Sequence, residues 1–214
     1  MYRIVFLLLS SILLYSCSHQ KSNTIALPYY NEASFTPLFI TNKSEIEKKI
    51  NHKIADFSFL NQDSIYISQH DIENKIHVAN FIFTSCGSIC PAMTHNLKTV
   101  SDSLKDYKDI LFLSYSVTPW IDNPSVLKKY KMDNGITSKN WHFLTGSTGA
   151  IYKIARQSYF AEEDLGFSKD STDFLHTEHM ILVDKTKRIR GIYNGTLTLE
   201  MQLLIDDIKT LLKE

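Results

Sequence analysis

Along the chain the spacing of hydrophobic and polar positions changes several times, and each spacing predicts an element. Ile4 to Leu14 is a continuous apolar run behind Met1-Tyr2-Arg3, while residues 18–35 are polar and lack a period. A short helix is predicted around Ser44–Ile50. Phe57-Ser-Phe59 and Ile65-Tyr-Ile67 flank the polar turn Asn61–Ser64, which predicts a hairpin. Ile76–Phe83 is mostly apolar and of strand length, the pattern of a strand buried on both faces. Ile89, Met93, Leu97, Val100 and Leu104 then mark one face of an amphipathic helix. Pro91 fits only the first turn of a helix, so this one opens near Gly87–Cys90. Ile110–Val117 repeats the buried-strand pattern. A helix at Pro124–Lys131, a short strand at His142–Leu144 and a helix at Ser147–Gln157, capped by Ser147 or Thr148, follow. His179–Val183 and Arg188–Tyr193 straddle Asp184–Lys187 as a second hairpin. Leu197–Leu212 closes the chain with Met201, Leu204, Ile205, Ile208, Leu211 and Leu212 on one helix face.

Strands alternating with helices and ending in a hairpin plus a helix predict an α/β sandwich around a mixed sheet. The order matches a thioredoxin-like domain carrying an N-terminal β-hairpin extension, and there is no internal repeat. In such sheets the ligand site lies at the carboxyl ends of the strands.

Charge narrows the partners. Lys and Arg together number 23, as do Asp and Glu, so the formal charge is +0 and there is no basic run. Nucleic acid is not expected; a protein, a metal or a small redox molecule is. The basic start, the short apolar core and the small residue after it describe an export signal. The core is shorter than the ~20 apolar residues of a spanning helix. Leu14-Tyr15-Ser16-Cys17 also resembles a bacterial lipobox, whose cysteine becomes the lipidated first residue. The expected organisation is a signal over residues 1–16, a lipidated tether over 17–35 and a folded domain over 36–214. Acyl chains on Cys17 would hold the protein in the cell envelope, on the extracytoplasmic side of a bacterial membrane, at ~0.8 kcal/mol per buried CH₂.

Of three cysteines, Cys17 is then consumed by the anchor and one pair remains, Cys86 and Cys90. Both sit at a strand-to-helix junction, where unpaired backbone N–H groups and the helix dipole favour thiolate. Four helical residues advance ~6 Å, within the ~4.4–6.8 Å that a disulfide bridges, and the same reach suits one shared metal ion. The spacing therefore allows disulfide exchange and ligation. Three intervening residues, against the two of thioredoxin catalysts, tilt it towards ligation. A soft ion such as Cu(I) accepts two thiolates and an imidazole. Among the histidines, His19 falls in the tether, and His52 and His70 near turns. His77 enters its strand at the far end, His95 faces away on the helix, and His142 starts a strand. His176 and His179 precede the strand beginning at Met180, where thioredoxins carry a cis-proline and this chain has Thr177-Glu178.

With Phe35-Thr-Pro37, Val78–Cys86, Cys90-Pro91, Asp173–His179, Leu182-Val-Asp184 and Arg190–Thr196, the chain resembles the SCO/SenC family of copper-binding assembly factors for cytochrome c oxidase. The resemblance covers nearly all of the domain. It implies one copper ion held by Cys86, Cys90 and His179; His176 is itself read as a neighbour or packing residue. It also implies a metallochaperone rather than an enzyme, whose partner is the copper-bearing subunit of the oxidase. The alternatives are a thiol–disulfide oxidoreductase using Cys86 and Cys90 as its redox pair, or a copper or redox sensor. One departure is Ser116-Val117-Thr118-Pro119, where the family often has Ser-Val-Asp-Pro; Asp122 lies four residues on.

Overall fold

In the computed structural model, residues 26–161 and 177–214 are described. The expected signal, Cys17 and His176 lie outside them. The centre of the fold is β5 (Ile76–Ile82) beside β6 (Ile110–Ser116), each buried at every position. They pair in parallel, from Ile76 opposite Ile110 to Ile82 opposite Ser116. Parallel neighbours need a crossover, supplied by α2 (Ile89–Ser103). A second crossover, α3 (Pro124–Asp133), leads to β7 (Trp141–Thr145), again parallel to β6. Asn123 caps α3 by accepting from Val126 N–H, with Pro124 in the first turn, as residue preferences dictate.

On the other side of β5 runs β8 (His179–Val183), antiparallel to it and joined as a hairpin to β9 (Ile189–Asn194). β3 (Ser58–Asn61) and β4 (Tyr66–Ser68) form the expected early hairpin against β7. Helix α1 (Lys43–Lys49) precedes it, α4 (Thr148–Lys153) passes into a π turn at Ile154–Ser158, and α5 (Thr198–Leu211) ends the chain. The nine strands, including β1 (Tyr29–Tyr30) and β2 (Pro37–Leu38), run in the order β2-β1-β9-β8-β5-β6-β7-β3-β4. This is the mixed α/β sheet that the sequence predicts.

Alternation along the strands divides the core in two. Val78, Ile82, Met180 and Leu182 meet Cys90, Met93, Leu97 and Val100 of α2 and Leu204 and Ile208 of α5. Ala79, Phe81, Tyr115, Ile181 and Val183 meet Phe57, Phe59, Ile151 and Tyr159 on the opposite face.

One boundary needs correction. The tether was expected to reach residue 35, but Leu27 and Tyr29 are buried and Tyr30 pairs with Ile189 of β9. The cause lies far along the chain. The Arg190 guanidinium donates to the carbonyls of Leu27 (3.0 Å) and Pro28 (3.1 Å) and lies 4.0 Å from the Tyr29 ring centroid. Among the described residues no helix is long and apolar enough to cross a membrane.

Candidate metal centre

β5 ends at Ile82, and the chain turns over Phe83–Ser88 before α2 begins. The turn is closed by Cys86 N–H donating to the Phe83 carbonyl at 3.2 Å. Ser88 provides no side-chain cap, so the first-turn amides of α2 are open to another acceptor. That acceptor is sulfur. Burial alone would push the Cys86 thiol up. Hydrogen bonds from the backbone of Cys90, Ser88 and Ile89, and from the Cys90 side chain, outweigh this and hold it below the ordinary value. Cys90 is buried among the α2-face residues, and its thiol is pushed up to about 12. Burial is the main cause, with Cys86 and the Asp122 carboxylate adding to it and the backbone of Phe83 opposing. Both are free thiols. A half-exposed thiol whose ionisation is favoured thus stands beside a buried thiol that keeps its proton.

This asymmetry has a direct readout. At pH 7–8, iodoacetamide is expected to alkylate Cys86 at least ~tenfold faster than Cys90. Peptide mapping after partial labelling checks it, and equal labelling would contradict the asymmetry.

The histidines divide as follows. His95 is exposed on α2. His77 is fully buried at the other end of β5, its Nε2 3.0 Å from the Tyr159 hydroxyl, and burial pulls it down to about 3, so it stays neutral. His142 packs beside Asn61, with Nδ1 3.3 Å from the amide nitrogen, and His52 contacts the Ser158 carbonyl.

His179 is where the geometry departs from the expectation. It opens β8, and the β5–β8 register carried two residues further sets it level with Phe81, at the correct end of the sheet. Its side chain leaves by the wrong face. Met180 and Leu182 point to α2, so His179 points with Ile181 and Val183 to the opposite layer. There its ring meets Phe35 edge-on at 5.6 Å, and Phe35 in turn packs on Tyr30 and Phe160. Among the described residues no three His, Cys, Asp or Glu side chains come together closely enough to hold a metal ion. The structure brings Cys86 and Cys90 together and does not add His179 to them.

Two residues near the thiols, Tyr130 and Thr84, were not singled out from the sequence, whereas Thr118 and Asp122 were. The Tyr130 phenol, 2.8 Å from Thr94 Oγ1, is held above its ordinary value mainly by burial, with both thiols and Asp122 contributing. Thr84 and Asp122 are hydrogen-bonded to each other behind the turn. Thr118, where the resemblance leads one to look for an aspartate, donates to Asp122 at 2.9 Å. The carboxylate therefore enters this loop four residues later. The signal was the polar cluster Ser116–Asp122 at the carboxyl end of a strand, next to the cysteine turn.

With the uncapped dithiol at the end of β5 established, comparison with known proteins becomes informative. A sequence profile of the SCO1/SenC family matches residues 46–213. The chain belongs to the SCO1/SenC family. It is 31% identical over 168 residues to the SCO1 protein homolog of Bacillus subtilis (strain 168), covering 78% of this chain and 86% of that protein. A SCO1/SenC family lipoprotein from Bacillus anthracis str. Ames superposes with a TM-score of 0.66 at 30% identity, over 76% of this chain and 96% of the other. BsSco is described as a member of the Sco family of cytochrome c oxidase assembly proteins, with a disulfide switch. It gives 0.63 at 30% identity, over 75% and 93%. Bradyrhizobium japonicum ScoI, solved with copper bound, gives 0.59 at 22% identity over 73% and 98%, which shows a shared fold.

Proposed function

We propose that this protein carries copper on Cys86 and Cys90 and supplies it to a cytochrome c oxidase while that enzyme is assembled. The carrying observation is the dithiol itself: an accessible thiol held below its ordinary value and a buried one held above it, at the uncapped start of α2 in a SCO1/SenC chain. Two sulfurs suit a soft ion. Oxidase assembly is the role described for the family of BsSco, and ScoI of the same fold binds copper. Copper here is cargo, so the protein's task is to hold it and release it.

The third donor comes, in this reading, from the segment before β8. His179 is the residue that the sequence pointed to, yet its ring lies on the far face beside Phe35. His176, outside the described residues, is the other histidine of that segment, and the facing of His179 favours it. Lipidation of Cys17 would keep the cargo at the membrane surface, in keeping with the relative described as a lipoprotein.

The test is copper titration of the reduced full-length protein in detergent, alongside His176→Ala and His179→Ala. One copper per chain is expected, with a loss of about tenfold or more in affinity in His176→Ala and a smaller one in His179→Ala. The reverse order would restore His179 as the ligand, and no binding by the parent would end the copper reading.

The asymmetric thiols also favour a second reading, a disulfide-exchanging role with Cys86 as nucleophile and Cys90 as resolving thiol. A mixed disulfide with an oxidase peptide trapped in Cys90→Ser, together with absent copper binding, would select it.

A further inference from the structure

The Asp122 side chain is completely buried. Its carboxylate accepts four hydrogen bonds: Oδ2 from Thr84 N–H (3.1 Å), Ser116 Oγ (2.7 Å) and Thr118 Oγ1 (2.9 Å), and Oδ1 from Thr84 Oγ1 (2.5 Å). All four donors are neutral. A buried polar group is costly unless its hydrogen bonds are made. Helix capping does not account for this side chain. The following helix is capped by Asn123, and Ser116 and Thr118 already lie on the same strand end and turn. What the carboxyl group gains is reach across the sheet, because Thr84 is, among these donors, the one distant in sequence. Thr84 stands two residues before Cys86, inside the turn closed by Cys86 N–H on Phe83.

We propose that Asp122 is the positioning residue of the cysteine pair. Through Thr84 it fixes the Phe83–Cys86 turn to the end of β6 and so sets how closely Cys86 approaches Cys90. The inference deepens the reading above, since it concerns the same dithiol, but it needs no copper. A turn released from Asp122 samples positions in which the two sulfurs are apart. The effective concentration of one thiol at the other then falls, and the pair forms a disulfide less readily.

The measurement is the dithiol–disulfide equilibrium of the copper-free full-length protein in detergent against glutathione buffers. Two thiols give two electrons and two protons to glutathione disulfide, and one protein disulfide forms. Asp122→Asn is expected to weaken the protein disulfide about tenfold, equivalent to about 30 mV for this two-electron couple. Thr84→Val, which keeps the carboxyl group and the backbone N–H bond, is expected to shift it in the same direction by less, at an unchanged melting temperature. Thr84→Ser restores the hydroxyl and is expected to restore the parent value. A parent-like potential in Thr84→Val, or a serine variant as displaced as the valine one, would overturn the proposal. Should Asp122→Asn fail to fold, the Thr84 pair still decides. If the potentials shift as expected while the parent binds no copper, only the copper reading falls.

Discussion

Copper affinity is expected to fall by about a hundredfold or more when either Cys86 or Cys90 is replaced by serine. Four-ligand structural zinc sites gain about 10–16 kcal/mol on binding, roughly 3 kcal/mol per ligand, and each 1.4 kcal/mol is about tenfold in affinity. A hydroxyl in place of a thiolate is a poor donor to a soft ion, so little is recovered. The two thiols also give the binding a sign with pH. Cys86 sits below its ordinary value and Cys90 is raised to about 12, so between pH 5 and 8 the free protein carries a proton on Cys90 that copper must displace. With at least this one proton released, apparent affinity rises about tenfold or more per pH unit. Competition titrations against a chelator of known proton dependence measure both effects. A flat affinity over this range, or a Cys90→Ser variant that binds as the parent does, would remove the dithiol as the copper site.

Substituting Arg190 by Met is expected to destabilise the fold by about 3–5 kcal/mol, because it breaks a buried ion pair and leaves its partner behind. The Arg190 side chain is 2% exposed and Asp184, at 3.1 Å, is 10% exposed. The same guanidinium holds Glu214 at 2.8 and 3.1 Å, and the Leu27 and Pro28 carbonyls. Asp184 in turn orders the β8–β9 turn by accepting from Thr186 N–H and Arg188 N–H. At about 2–4 °C per kcal/mol for a chain of this size, the melting temperature should drop by about 6–20 °C. Adding Asp184→Asn should recover part of the loss, since the stranded charge is then gone. A drop of less than about 2 °C would mean that the N-terminal segment and the hairpin are held by packing alone.

Local periodicity made most of the sheet legible. Met93, Leu97, Val100 and Leu104 are buried where their spacing placed them, and β5 and β6 are buried throughout. Tyr29–Tyr30 was not legible as a strand. Two residues carry no period, and their burial depends on Arg190, about 160 positions later. His179 shows a different limit: its place at the start of β8 correctly put it at the dithiol end of the sheet. Which face it took followed from the parity of β8 against β5, fixed by Met180 and Leu182 packing on α2. Asp122 was visible as a residue, but its bond to Thr84 spans 38 positions.

The amino-acid order alone determined most of the strands, the helices and the placing of two cysteines at a strand–helix junction, because those depend on contacts a few residues apart. Folding decided which thiol ionises more readily, which histidine turns away and which carboxylate bonds to the turn. Each of those depends on burial and on partners from other strands, and no spacing along the chain encodes the face on which a side chain finally lands.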